Sequence, residues 1–214
     1  MLSDVNRAER LIDELRGAIA DERVLGAIAA VPRAAFLPRR LRSRAYENVA
    51  LPIGHQQTIS QPLVVARMTE LLRLEPSDRV LDVGTGSGYH AAVLARLAAH
   101  VWTIERHREL SEEAVAHLRR AGVANVTVLA GDGSQGLPDA APFDAINVAA
   151  AAWPEIPPAL ERQLAPGGRL VAPVGASGQQ LVLVERDRER GELTRTTLDA
   201  VRFVPLIEGG PVEP

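Results

Sequence analysis

The chain has 214 residues, of which 46% are apolar and 24% are charged, and its formal net charge is −3. This length suits one domain, and the apolar residues suffice for a core that is mostly aliphatic, because only 3% of the residues are aromatic. The small negative charge gives no general attraction to nucleic acid or to an anionic membrane. From length and charge we expect a single domain over residues 1–214 that is bound neither to nucleic acid nor to a membrane. We also expect a cytoplasmic monomer.

Two residue types are missing from the sequence. Cysteine is absent, which excludes disulfides, thiolate nucleophiles and cysteine-ligated metals. Lysine is absent as well, so all 24 basic residues are arginines, and neither a Walker lysine nor a Schiff-base lysine is available. The five histidines follow no metal-binding spacing. We therefore expect no metal site.

The first part of the chain has a helical pattern. Apolar periodicity predicts helices over about 4–18 and 21–31. An arginine-rich connector, RAAFLPRRLRSR, follows at 33–44. We interpret this connector as a solvated surface, with attraction of an acidic partner as the alternative.

A polar stretch, LPIGHQQTISQP, occupies residues 51–62. The residues after it repeat apolar side chains at three-and-four spacing, which predicts a third helix beginning at Pro62. On local sequence alone, Ser60 is expected to cap this helix, because a serine hydroxyl accepts hydrogen bonds from the first backbone N–H groups.

From residue 79 onward, short apolar runs alternate with helical segments. This alternation predicts a mostly parallel sheet with helices on both faces. The expected strands are RVLDVG (79–84), HVWTIE (100–105), VTVLAGD (126–132), FDAINVA (143–149) and GRLVAPVG (168–175). The expected helices cover about 89–98, 109–121 and 156–164. Two further strand-like runs on either side of Gly191 predict antiparallel strands at the sheet edge. Within the one domain, we expect an N-terminal helical region over 1–75, a core over 76–180 and C-terminal strands and a tail over 181–214.

A glycine-rich turn follows the first of these strands. Its glycines are Gly84, Gly86 and Gly88. Glycine lets the backbone turn sharply and lets a ligand approach the main chain. Asp82 precedes the turn, and Glu105 ends the next strand, 105 − 84 = 21 positions after the first glycine, where an acid that accepts both ribose hydroxyls is expected. Gly131 and Asp132 end the third strand.

The spacing of these glycines distinguishes two kinds of nucleoside cofactor. A dinucleotide fingerprint places its third glycine where this chain has Tyr89. The observed G-x-G-x-G pattern resembles motif I of S-adenosylmethionine-dependent methyltransferases, which predicts their Rossmann-like α/β fold. Since that cofactor has no pyrophosphate, it needs less of a phosphate-binding cradle.

Longer stretches resemble the protein-L-isoaspartate O-methyltransferase family. They include VPRAAFLP, ALPIGHQQTISQP, VLDVGTGSGYHAAVLARL, APFDAINVAAAAWPEIPPAL, LAPGGRLVAPVG and RFVPL, and they extend from the first helix to about Leu206. The resemblance implies methyl transfer from S-adenosyl-L-methionine to the abnormal carboxylate of L-isoaspartyl, and often D-aspartyl, residues in damaged proteins and peptides. The products are S-adenosyl-L-homocysteine and an ester that closes to a succinimide.

The resemblance also implies a role for particular residues. Ser60 matches the active-site serine of the family. The residues that would face the substrate are Gln57, Thr58, Ile59, Ser60, Phe203 and Val204. The residues that would hold the cofactor are Asp82, Gly84, Thr85, Gly86, Gly88, Glu105, Gly131 and Asp132.

Two departures from the family pattern accompany this resemblance. Gln56 stands where the family commonly has glycine, and we expect this to change how freely the loop opens. The segment NVAAAAWPEIP at 147–157 is one residue longer than usual and lacks a frequent threonine. We therefore make no prediction for the shape of the wall that this segment forms.

Two alternatives stay open at this point. The first is methylation of nitrogen in RNA or a small molecule, but such enzymes often have an Asp/Asn-Pro-Pro-aromatic loop where this chain has Asn147-Val148-Ala149-Ala150. The second is a binding module without catalysis. No serine lies in a G-x-S-x-G elbow, which argues against a hydrolase.

Overall fold

A seven-stranded sheet organises residues 4–209, the part of the chain that the computed structural model describes. The strands are β1 (Leu51–Gly54), β2 (Gln57–Ile59), β3 (Arg79–Val83), β4 (His100–Glu105), β5 (Val126–Ala130), β6 (Phe143–Val148), β7 (Leu164–Val174), β8 (Gln180–Arg186) and β9 (Leu193–Ala200). β1 and β2 form a separate antiparallel hairpin, and the large sheet has the order β5-β4-β3-β6-β7-β8-β9. Its first five strands are parallel, and β8 and β9 are antiparallel.

Six α-helices accompany the strands within residues 4–209. They are α1 (Asp4–Arg16), α2 (Glu22–Ala30), α3 (Pro62–Leu72), α4 (Tyr89–Leu94), α5 (Arg108–Arg120) and α6 (Pro158–Arg162). Short 3-10 helices cover Arg33–Phe36, Arg39–Arg44, Gly133–Gln135 and Pro138–Ala140. The predicted fold class is therefore confirmed, including the helical N-terminal addition and the antiparallel strands on either side of Gly191.

Both faces of the sheet are covered by apolar side chains. Along β3, Val80 belongs to a core cluster with residues of α3 and α4, whereas the next residue, Leu81, belongs to a cluster on the other face with Leu160 of α6. Successive strand residues point to opposite faces, so this split places helices on both sides. A third cluster joins α1 and α2 to α3, α4 and α5.

Several element ends differ from the prediction. α4 ends at Leu94 and not near residue 98, because the N–H groups of Arg96 and Leu97 donate three residues back, to Val93 and Leu94, and so form a tighter turn. The amide of Asn125 donates to the carbonyls of Ala95 and Ala98 in this turn. α6 is shorter than predicted at both ends, with Pro157 in an extended conformation before it. β7 begins at Leu164, four residues before Gly168, where the sequence predicted its start.

The arginine-rich connector does not form a uniformly solvated surface. Four of its arginines, Arg39, Arg40, Arg42 and Arg44, are exposed as expected. Arg33 is only 1% exposed, so the prediction is wrong for this residue. Its guanidinium finds hydrogen-bond acceptors in main-chain carbonyls that are distant in sequence.

The predicted cap of α3 is also wrong. Gln61 occupies the N-cap position and provides no side-chain hydrogen bond there. The N–H of Leu63 instead donates to the side-chain oxygen of Asn48 at 3.0 Å. Ser60 is therefore not needed to satisfy the helix.

The helices of residues 4–209 include none that combines the length and apolarity needed to span a lipid bilayer.

Candidate active site

A cleft of about 480 Å³ opens at the carboxyl ends of β3, β4 and β6. In the parallel part of the sheet, the strand order reverses between β3 and β6, the place where open α/β sheets bind ligands. One side of the cleft, here called the sheet wall, is formed by 83–87 and 104–107. The opposite side, the hairpin wall, is formed by 55–60, and the tail residues 204–207 complete the lining. The volume suits a ligand the size of a nucleoside derivative.

The glycine turn on the sheet wall is held by main-chain contacts. The N–H of Gly84 donates to the carbonyl of Ile104 at 2.9 Å, which fixes the turn to the end of β4. The φ angles of Gly84 and Gly88 are +95° and +88°, a region that side chains with a Cβ rarely occupy. Gly88 is the N-cap residue of α4. The turn therefore needs glycine and exposes its main chain to the cleft.

Glu105 connects the two loops of the sheet wall. One carboxylate oxygen accepts from the N–H of Gly86 at 2.8 Å, and the other accepts from the N–H of His107 at 3.0 Å. The side chain is nearly buried but lines the cleft. Because each carboxylate oxygen has two lone pairs, Glu105 keeps acceptor capacity for a ligand while it holds both loops.

Asp82 lies beneath the glycine turn and does not line the cleft. It is fully buried, and its oxygens accept from the side chains of Thr103 and Asn147, both at 2.7 Å. Burial raises the pKa of Asp82 to about 6, and these two hydrogen bonds oppose the rise. The hydroxyl of Thr103 also lies 2.6 Å from that of Thr85, which does line the cleft. Asp82 therefore does not contact a ligand in the cleft directly but helps to position the residues that line it.

A second branch of this network reaches α3. The amide of Asn147 lies 3.2 Å from Nδ1 of His90, and Nε2 of His90 lies 3.2 Å from the hydroxyl of Thr69. The hydroxyl of Thr69 donates to the carbonyl of Val65. These contacts determine which ring nitrogen of His90 is protonated. Because Asn147 donates to Nδ1, the neutral ring carries its proton on Nε2 and donates it to Thr69. Burial lowers the pKa of His90 to about 3, consistent with a neutral ring.

The hairpin wall presents hydroxyls that the protein does not use. Thr58, Ile59 and Ser60 line the cleft, and neither hydroxyl has a hydrogen-bond partner within residues 4–209. At the tip of the hairpin, His55 and Gln56 have φ angles of +47° and +58°. This left-handed conformation is unfavourable for residues other than glycine.

The tail forms the remaining border. Val204 accepts at its carbonyl from the N–H of Ala151, and the N–H of Leu206 donates to the carbonyl of the same alanine, both at 2.8 Å. Val204 consequently lines the cleft. Phe203 instead is partly buried against the core cluster beside α3, and its main chain pairs with the side chain of Gln179.

The structure brings together most of the residues predicted from the sequence. Those that line the cleft are Gln57, Thr58, Ile59, Ser60, Gly84, Thr85, Gly86, Glu105 and Val204. Those that do not line it are Asp82, Gly88, Gly131, Asp132 and Phe203. Asp132 accepts from the N–H and hydroxyl of Ser134 and from the N–H of Gly209, which is 77 residues away in sequence.

Sequence reasoning missed several residues of the lining. Arg106 and His107 line the cleft directly after Glu105, a position that their adjacency to the predicted acid could have indicated. Tyr89 and His90 also line it, although both are buried and belong to the first turn of α4. The ring centroids of His55 and His107 lie 5.3 Å apart, and this contact connects the hairpin wall to the sheet wall. No local sequence signal indicates that pairing.

Known proteins share both this fold and this sequence. A solved structure from Plasmodium falciparum, described as a protein-L-isoaspartate O-methyltransferase in complex with S-adenosyl-L-homocysteine, superposes with a TM-score of 0.81 at 26% identity, covering 98% of this chain and 100% of that one. The protein-L-isoaspartate O-methyltransferase of Roseiflexus sp. is 56% identical over 207 residues, covering 95% of this chain and 93% of the relative.

The similarity to curated relatives extends to other bacteria. The protein-L-isoaspartate O-methyltransferase of Koribacter versatilis is 53% identical over 204 residues, covering 95% of this chain and 91% of the relative. A sequence model of the family described as protein-L-isoaspartate(D-aspartate) O-methyltransferase matches residues 6–210. The family resemblance is therefore confirmed, and the chain belongs to the protein-L-isoaspartate(D-aspartate) O-methyltransferase family of S-adenosylmethionine-dependent enzymes.

Proposed function

We propose that this chain methylates the free carboxylate of L-isoaspartyl residues in damaged proteins and peptides, and so begins their repair through a succinimide. The observation that carries the proposal is the cleft itself, in which Ser60 of the hairpin wall and Glu105 of the sheet wall face the same space. Hydroxyls that can donate hydrogen bonds to an anion thereby lie in the same cleft as an acid that can accept hydrogen bonds from a nucleoside. Family membership and the relatives at over 50% identity support the same reaction.

The sheet wall fits S-adenosylmethionine. Glu105 has acceptor capacity left for ribose hydroxyls, and the turn from Gly84 to Gly88 exposes main chain where a Cβ would be strained. The chain has no lysine for a phosphate, which suits a cofactor without a pyrophosphate. When bound, the cofactor supplies a methyl group on a positively charged sulfur. We assign Gly84, Thr85, Gly86 and Glu105 to direct contact, and Asp82, Gly88, Gly131 and Asp132 to support of that wall.

The hairpin wall fits a carboxylate substrate. A side-chain carboxyl of this kind has a reference pKa of about 3.9 and is ionised at neutral pH, so the reaction needs no general base. The task of the protein is to orient the attacking oxygen and to exclude water. We propose that the hydroxyl of Ser60, aided by Thr58, positions the carboxylate by hydrogen bonds. A serine in this role forms no covalent intermediate.

The remaining predicted contacts concern the peptide around the carboxylate. Gln57, Ile59 and Val204 line the cleft, so we propose that they contact the peptide next to the reacting residue. Phe203 supports the tail from the core. A cytoplasmic location and a monomeric state stay predictions from the sequence.

The test is methyl transfer to matched peptides. Two peptides of the same sequence, one with isoaspartate and one with aspartate, are incubated with the protein and radiolabelled S-adenosylmethionine. We expect labelling of the isoaspartyl peptide alone, and release of the label as volatile methanol in alkali, because the product is an ester. The proposal is contradicted if both peptides are labelled equally. It is also contradicted if the label survives alkali, as an N-methyl group does.

A further inference from the structure

Arg33 binds the main chain behind the hairpin wall. Its guanidinium donates to the carbonyls of Ala45 at 2.6 Å, Val49 at 3.0 Å and Ser60 at 3.1 Å. These three carbonyls belong to segments that are 12, 16 and 27 residues away in sequence. A planar guanidinium offers its donors in fixed directions, so a single side chain sets the position of Ser60 relative to the segments before it.

The charge of Arg33 has no acidic partner in direct contact. The side chain is 1% exposed, and none of the carboxylates of residues 5–209 forms an ion pair with it. Glu47, the acid that influences it through space, is bound to Arg44. Burial lowers the pKa of Arg33, although an arginine stays protonated at neutral pH. A buried cation without a counter-ion is unfavourable, and it attracts an anion placed nearby.

The other neighbour of Arg33 also belongs to the cleft. The guanidinium carbon lies 5.7 Å from the ring centroid of Tyr89, the residue that begins α4 and lines the cleft. Arg33 therefore contacts the hairpin wall through Ser60 and, through Tyr89, the helix that follows the glycine turn of the sheet wall. Its two terminal nitrogens donate to carbonyls, its buried Nε has no hydrogen-bond partner within the described residues, and the side chain does not line the cleft.

We propose that Arg33 is a positioning residue of methyl transfer that holds Ser60 from behind and leaves its positive charge to attract the substrate carboxylate. This inference rests on the proposed function of the cleft. A cation that bound the attacking oxygens directly would reduce their nucleophilicity. Arg33 avoids this, because the main chain of Ser60 stands between the guanidinium and the substrate. The site thereby combines a neutral hydroxyl donor with a charge one layer deeper.

The chain offers a matched control at the other end of α3. Arg169 also donates to main-chain carbonyls, those of Leu72 and Arg73 at 2.6 and 2.8 Å. It is partly buried and lines no part of the cleft. A purely structural role of such an arginine would be lost in Arg169→Met as well as in Arg33→Met.

The experiment compares Arg33→Met, Arg33→Lys and Arg169→Met with the unaltered protein. Methyl transfer to an isoaspartyl peptide gives kcat and KM, calorimetry gives Kd for S-adenosyl-L-homocysteine, and thermal melting reports folding. For Arg33→Met we expect kcat to fall about 100-fold with a raised KM, because small misplacement of reacting groups has effects of this size. For Arg33→Lys, which keeps the charge but not the fork of donors, we expect a lower kcat and a KM within threefold.

The expected pattern leaves Kd for S-adenosyl-L-homocysteine within threefold in every folded variant and leaves the kcat of Arg169→Met within twofold. The inference is overturned if a folded Arg33 variant has the kcat and KM of Arg169→Met. If Arg33→Met does not fold, Arg33→Lys decides between the two results by the same criterion. An unaltered protein that fails to methylate the isoaspartyl peptide would instead contradict the proposed function, so the two failures are distinguishable.

Discussion

The two walls of the cleft satisfy their polar groups in opposite ways. On the sheet wall, both oxygens of Glu105 accept main-chain hydrogen bonds, and beneath that wall Asp82 is bound by two side chains. On the hairpin wall, the hydroxyls of Thr58 and Ser60 have no partner within the described residues, and the hairpin tip is conformationally strained. The contrast indicates that one wall is preorganised for a ligand of fixed shape, whereas the other keeps its donors for a variable peptide.

Removing the acid of the sheet wall has the largest expected effect. In Glu105→Ala, the N–H groups of Gly86 and His107 lose their acceptor and a bound ribose loses its partner. Because hydrogen bonds to a charged group contribute about 1.5–3 kcal/mol each, we expect Kd for S-adenosyl-L-homocysteine to rise about 100-fold. Calorimetry measures this directly. The Kd of the more conservative Glu105→Gln should lie between those of the unaltered protein and Glu105→Ala. An unchanged Kd in both variants would show that Glu105 does not bind the cofactor.

The buried acid beneath the sheet wall predicts an unusual pH dependence of stability. The pKa of Asp82 is raised from 3.8 to about 6, chiefly by burial. A raised acid pKa contributes stability below the unfolded pKa, and this contribution is lost as pH rises through the folded pKa. Between pH 5 and pH 7.5 we expect the unaltered protein to lose about 1.4 kcal/mol of unfolding free energy relative to Asp82→Asn.

Urea denaturation of both proteins at the two pH values measures this difference, and comparing them cancels groups that titrate alike in both. If the stability difference between the two proteins does not change with pH, or changes in the opposite direction, Asp82 does not ionise in the manner described.

The strain at the tip of the hairpin wall predicts a smaller effect. Gln56 is left-handed at φ +58°, and glycine adopts this conformation without strain. We expect Gln56→Gly to raise the unfolding free energy by about 0.5–1 kcal/mol and to raise KM for the peptide two- to threefold, because the hairpin then moves more freely. Arg73→Gly is the matched control, since Arg73 is also left-handed, at φ +46°, but caps the far end of α3.

Gln56→Gly should gain stability, Arg73→Gly should gain less because it also loses its ion pair with Glu185, and only Gln56→Gly should change peptide kinetics. Equal peptide kinetics in the two variants would show that the conformation of the hairpin tip has no part in substrate binding.

The same division separates what could be predicted from the sequence from what could not. The glycine turn and Glu105 depend on a strand, a turn and the next strand in succession, so local patterns sufficed. The sequence also predicted Ser60 and Thr58 in the cleft, through the family resemblance. Both residues line the cleft, and their roles stay predictions.

The errors have a common physical reason. The cap of α3 comes from Asn48, which lies 15 residues before the N–H that it accepts. Arg33 is buried because its carbonyl partners include one that is 27 residues away. Both depend on tertiary contacts that periodicity and motif spacing do not contain.

The most direct test of the two-walled account is the paired measurement of peptide kinetics and cofactor affinity in Ser60→Ala. The hydroxyl of Ser60 has no partner within residues 4–209, so its loss should leave folding unchanged. We expect kcat/KM for an isoaspartyl peptide to fall about 10- to 100-fold, the size of one or two hydrogen bonds to an anion, with Kd for S-adenosyl-L-homocysteine within twofold. A folded variant with unaltered peptide kinetics, or with equal losses in both measurements, would contradict the account.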